Sequence, residues 1–123
     1  MNFRTLATLT ALGCFLLAAI WIFAPDLLLS IWGVNITPSA SLVSRRNGML
    51  FLGVGLMFFC ARTAQPSAAR TAMSNGFAAG CLALAALGFF ELATGHVGLG
   101  ILAATLVEIP LGLAFLFAAR SQQ

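Results

Sequence analysis

The sequence predicts an all-α integral membrane protein, a bundle of four transmembrane helices with a short interfacial helix between helices 1 and 2. Three observations carry that prediction. Charged residues make up 7% of the chain and hydrophobic ones 61%, against about 25% charged in an ordinary soluble domain. So little polar surface could not cover a chain of 123 residues in water. The apolar residues also fall into four runs, each long enough at ~1.5 Å per helical residue to cross a hydrocarbon core of ~30 Å. The breaks between runs hold three of the four prolines and two of the six arginines. A transmembrane barrel is excluded, because it needs alternating segments of ~10 residues, and none occur. One domain fits the length.

The first span is expected over residues 6–24. Arg4 followed by this run imitates a signal peptide, but the run exceeds the ~7–15 residues of a typical signal core. It is therefore read as a retained first membrane helix. Pro25 and Asp26 end it or begin a new turn. Residues 27–32 are too few to span, and with Trp21 and Trp32 as anchors they predict a short helix lying at the membrane surface. Gly33 closes that piece.

The second span is expected over 39–61. Pro38 suits a first helical turn, and Ser39 or Ser41 could cap the free amides. Arg62, Gln65, Pro66, Ser67 and Arg70 form a polar connector. The third span is expected over 71–94. Gly95, His96 and Gly98 make a tight turn, so the fourth span, 99–119, is its antiparallel neighbour. Residues 120–123 are a polar tail. No heptad repeat, low-complexity linker or second domain is evident.

The six basic residues are all arginines, giving a net charge of +3. They are too scattered for a nucleic-acid footprint, and no nucleic-acid partner is expected. Four spans put both termini on one side with Arg4, Arg62, Arg70 and Arg120. The tendency of basic residues to stay inside makes that side cytoplasmic, in a bacterial inner membrane. Arg45 and Arg46 then lie on the outer half of the second span, against that tendency. Cys14, Cys60 and Cys81 each sit in an apolar run with no metal or disulfide spacing, so all three are expected as buried small hydrophobes. Gly76, Gly80 and Ala83 in the third span form a small-residue face suited to close helix packing.

The informative residues are the ionisable ones inside the spans, since a charge at mid-membrane costs at least ~2.5 kcal/mol and usually has a partner or a task. Counting from the helix starts, Arg45 and Arg46 lie ~9 Å down the second span. Glu91 is about one turn from the outer end of the third span, within ~20° of Gly80 on the helical wheel. His96 is at the outer turn. These four, Asn47 and Asp26 are expected to share the outer third of the membrane. Glu108 lies deeper, ~14 Å down the fourth span, on a face with Ala104, Thr105 and Gly112. Pro110 frees the carbonyl of Leu106 and opens a polar notch beside it. Glu108, Glu91 and Arg45 are the candidate catalytic residues, and Arg46, Asn47, His96 and Asp26 the candidate ligand-binding ones. Structural alternatives stand beside each reading: an Arg–Glu ion pair for Arg45 or Arg46 with Glu91 or Glu108, a solvated loop for His96, and a helix cap for Asp26. No metal site is expected, and no cofactor is indicated.

Four short spans, Pro25-Asp26 after the first, Arg45-x-x-Gly48 opening the second, Gly53-x-Gly55, and Glu108 in the fourth form a pattern. On these residues the chain resembles the DoxX-like superfamily of four-helix bacterial membrane proteins. Relatives often carry an arginine in the third span, where this chain has Gly88-Phe89 and then Glu91. The resemblance implies an accessory subunit of a membrane redox system, without implying a reaction.

Three functions are consistent with this reading. The first is an accessory subunit or lipophilic-ligand-binding bundle with a buried Arg/Glu cluster. The second is an intramembrane enzyme, an isomerase or epoxide-opening catalyst, with Glu108 as acid or base, Arg45 or Arg46 stabilising charge and Glu91 orienting it. The third is a proton-coupled transporter, which with four spans would need a dimer. The expected partners are the lipid bilayer, a second copy of the chain or a larger membrane complex, and a lipophilic small molecule. The chain has no phosphate-binding loop, zinc spacing, haem-attachment motif or nucleophile elbow.

Overall fold

The computed structural model describes residues 2–121 and is all-helical, with no strand among the described residues. Five helices follow one another: α1 (Phe3–Phe23), α2 (Pro25–Ile31), α3 (Pro38–Ala61), α4 (Ala68–Ala93) and α5 (Ile101–Arg120). Of the expected polar tail, Gln122 and Gln123 lie outside the described residues. Within that range α1, α4 and α5 are long and apolar enough to cross a membrane. Helix α3, at 24 residues, has the length but not the uninterrupted run, because Arg45-Arg46-Asn47 divides it.

Local chemistry sets the helix ends. Residues preceding a proline are pushed out of the helical region, and Ala24, with φ −139°, ends α1 before Pro25 opens α2. At the end of α2, Gly33 takes φ 70°. There its amide bonds the Ser30 carbonyl and that of Val34 the Leu29 carbonyl, the paired bonds of a Schellman cap. The cap of α3 is Thr37 rather than Ser39 or Ser41: its hydroxyl accepts from the Ala40 amide at 3.0 Å, with Pro38 in the first turn. Ser67 does the same for α4 by accepting from Arg70 N at 3.2 Å. Arg70, expected in the connector, therefore lies in the first turn of α4.

The chain forms two compact units, one spanning Phe3–Arg62 and one beginning at Thr63. In the first, α1 and α3 pack antiparallel, and α2 bridges their connection. A Cβ on Gly48 would meet Trp21 Cβ at 2.8 Å, and one on Gly55 would meet Phe15 at 2.8 Å and Cys14 Cβ at 3.2 Å. These contacts fix the register: Gly48 opposes Trp21 and Gly55 opposes Cys14. In the second unit α4 packs antiparallel on α5, with Gly88 against Thr105, Gly112 against Cys81 and Leu82, and Phe77 edge-on to Phe115 at 5.0 Å.

The buried positions repeat by fours and threes. In α4 they are Ser74, Ala78, Cys81, Ala85 and Gly88, and in α5 Ile101, Thr105, Gly112, Phe115 and Ala119. This is the seam spacing of a left-handed helix pair, which the sequence pattern did not reveal. The seam is made largely of small or weakly polar side chains, while Leu16, Leu50, Leu84, Phe90, Leu106 and Phe117 are exposed. Water would drive the opposite arrangement. In lipid, where no hydrophobic force joins helices, small residues on the seam allow close van der Waals packing and large apolar ones face the tails. Gly76 and Gly80 are not on this seam: both are exposed, and an added Cβ on either meets nothing within 4 Å. Cys14 and Cys81 are buried as expected, whereas Cys60 is exposed.

Candidate functional site

Glu108 lies on the seam of α5. It is three residues after Thr105 and four before Gly112, both buried, so it continues their four–three spacing on the α4-facing side. Thr105 opposes Gly88 and Gly112 opposes Cys81; this antiparallel register sets Glu108 level with Ala85, about two-thirds of the way along α4. Its Oε2 atom is buried and has no hydrogen-bond partner among the described residues. The nearby Thr105 hydroxyl is committed elsewhere, donating to the Leu102 carbonyl at 3.0 Å. Glu108 is ~10 Å along the helix from Ile101, where α5 begins, rather than ~14 Å.

Glu91 and His96 form a second polar group at the end of α4. Thr94 caps the helix and Gly95 takes φ 82°. The amide of His96 then bonds the Glu91 carbonyl at 3.0 Å, again a Schellman closure. That closure folds the imidazole back over the same residue, so that His96 Nδ1 lies 2.6 Å from Glu91 Oε2. The Thr94 hydroxyl is 3.3 Å from the same nitrogen. His96 is 67% exposed and Glu91 31%. Glu91 thus has a local partner, on a side of α4 different from its seam. The spacing of Glu91 and His96 about a glycine two residues after the helix was the signal that could have predicted their pairing. The register puts Glu91 level with Leu102, about two turns from Glu108, so the structure does not bring these two acids together.

Arg45, Arg46 and Asn47 are exposed, and none has a side-chain hydrogen bond or ion pair among the described residues. Extending the α1–α3 register places Arg45 beside Ala24 and Arg46 beside Phe23, at the very end of α1. The sequence estimate of depth counted from the start of α3, but the first turns of α3 extend past α1 and meet α2 instead. There the Ser41 hydroxyl donates to Asp26 Oδ1 at 2.8 Å. Asp26 is therefore a tie between α2 and α3, not the cap of α2, whose cap position is Ala24. Trp32 stacks edge-on against Trp21 with ring centroids 5.2 Å apart. Arg45, Arg46, Asn47, Asp26 and both tryptophans thus gather at one end of the first hairpin.

Sequence reading overlooked three buried hydroxyls, those of Thr10, Ser44 and Ser74; Ser44 donates to the Ala40 carbonyl at 2.8 Å. Ser74 is fully buried and donates to the Arg70 carbonyl at 3.0 Å. Thr10 is buried in α1, and its Oγ1 has no partner among the described residues. Comparison with protein-family models, curated proteins and solved structures finds no match for this chain.

Proposed function

We propose that this chain is a four-span membrane protein that holds a lipophilic small molecule against Glu108. The observation that carries this reading is the buried, unpartnered Oε2 of Glu108 on the packed side of an apolar helix. A carboxyl oxygen removed from water without a hydrogen bond costs about 1–3 kcal/mol. A ligand with an apolar body and a hydroxyl or similar polar group would restore that bond.

The fourth span in this proposal is α3. Its residues from Gly48 onward oppose α1 through the register above, so they share whatever depth α1 occupies. Exposed Leu50, Leu52, Leu56 and Phe59 on its remaining surface suit acyl chains. The likeness to the DoxX-like superfamily, an inner-membrane location and cytoplasmic termini belong to the same proposal.

The test is native mass spectrometry of protein released from mild detergent, comparing the wild type with Glu108→Gln and Glu108→Met. A bound small molecule on the wild type, reduced on both variants, supports the reading. Wild type free of any small molecule but isolated with a larger membrane complex would favour an accessory subunit. The same carboxyl supports a second reading, acid/base chemistry on a lipophilic substrate; retained turnover in a folded Glu108→Gln protein would reject it.

A further inference from the structure

The pair Arg45 and Arg46 is unexplained by a ligand at Glu108. Both residues are exposed, yet they do not stand on a polar surface. Arg46 is flanked at three and four residues by Val43, Met49, Leu42 and Leu50, exposed by 65, 57, 61 and 67% respectively. On a helix these four surround it on one face, so Arg46 projects from an apolar patch that would be covered by lipid. An arginine so placed extends its stem along the acyl chains and brings its charge to the headgroups. The headgroup level is close by: the register sets Arg46 beside Phe23, where α1 ends. The stacked Trp21 and Trp32 mark the same end of the hairpin, as tryptophans do at membrane interfaces. The other charged group there, Asp26, is engaged by Ser41.

We propose that Arg45 and Arg46 bind the phosphate of an anionic phospholipid in the leaflet at the α2 end of the first hairpin. Guanidinium donors match phosphate oxygens in pairs. The apolar collar of Leu42, Val43, Met49 and Leu50 receives the acyl chains of the same molecule. That collar is what selects a lipid over a free phosphate, which would gain nothing from it. The proposal rests on the membrane reading but not on any ligand at Glu108.

The experiment reconstitutes the full chain in nanodiscs of phosphatidylcholine with and without phosphatidylglycerol, then measures by native mass spectrometry which lipid stays bound. Wild type should retain phosphatidylglycerol preferentially. Arg45→Gln and Arg46→Gln should each reduce that preference by about fivefold, the usual effect of one basic residue at an anionic surface. Arg45→Lys/Arg46→Lys should keep most of it, and Arg120→Gln should leave it unchanged. The Arg45→Lys/Arg46→Lys protein keeps the test valid if either Gln variant fails to insert. Equal retention of both lipids by the wild type overturns the proposal, as does an unchanged preference in Arg46→Gln. Displacement of the retained phosphatidylglycerol by inorganic phosphate at the same concentration as lipid would show a soluble-anion site and also overturn it. Glu108→Met should retain phosphatidylglycerol normally, which separates this site from the proposed ligand.

Discussion

The backbone of Gly48 rests directly against Trp21: a Cβ built on Gly48 would lie 2.8 Å from Trp21 Cβ and 3.2 Å from the Ala18 carbonyl oxygen. Neither obstacle is the free end of a side chain, so neither can move without shifting α1. Gly48→Ala should therefore destabilise the first hairpin by about 1–3 kcal/mol, the cost of overpacking. Gly53, one turn on, meets nothing within 4 Å. Gly53→Ala should be neutral or stabilise by up to about 1 kcal/mol, since alanine is the better helix former. Thermal unfolding of the two variants in detergent checks the contrast, and equal midpoints would refute this packing.

The second hairpin offers a parallel comparison. A Cβ on Gly112 would meet Leu82 Cγ at 3.0 Å and Cys81 Cβ at 3.3 Å, whereas one on Gly80 meets nothing within 4 Å. Gly112→Val should cost about 1–3 kcal/mol, and Gly80→Val should stay within about 0.5 kcal/mol. Both carry the same β-branched helix penalty, so the difference between their melting temperatures isolates the seam. A larger loss at Gly80 would restore the Gly76–Gly80 face expected from spacing alone.

The Gly76–Gly80 spacing did not pick out the α4–α5 seam, for a physical reason. Reading hydropathy finds the most apolar face of each helix, and in lipid that face points outward. Leu84 and Leu87 advertise α4, while its packed side is Ser74, Ala78, Cys81, Ala85 and Gly88. In a chain rich in glycine and alanine, several small-residue spacings compete, and only the partner helix decides among them. Helix existence was legible because each of the four long apolar runs ends in proline, glycine or arginine. The inward side of Glu108 was legible too, since Thr105 and Gly112 flank it at helical spacing. The level of Arg45 and Arg46 was not, because it depends on where α1 ends relative to α3, a quantity fixed only by the Gly48–Trp21 register.

The Glu91–His96 contact should contribute little to stability. It is short, at 2.6 Å, but His96 is 67% exposed, so solvent screens it. A double-mutant cycle with Glu91→Gln and His96→Ala should give a coupling of about 0.2–1 kcal/mol, the range of exposed pairs. A coupling well above that range would mean that the turn is shielded by something the isolated chain does not contain. Gly95→Ala should cost more than either, because φ 82° is a conformation alanine adopts poorly.

Glu108 gives the prediction with opposite signs in two assays. Its Oε2 is buried without a partner, so replacing the side chain by an apolar one of similar length removes an unmet hydrogen bond. Glu108→Met should therefore stabilise detergent-solubilised protein, in ligand-free form, by about 1–3 kcal/mol. The same change should lower retention of a lipophilic ligand, because the polar contact that orients it is gone. Stability gained at the expense of binding is the signature of a residue kept for function rather than for packing. Unfolding in detergent and native mass spectrometry on the same preparations read the two effects separately. A Glu108→Met protein that is less stable than wild type in ligand-free form would show that the carboxyl already has a structural partner, and the case for a ligand there would fall with it.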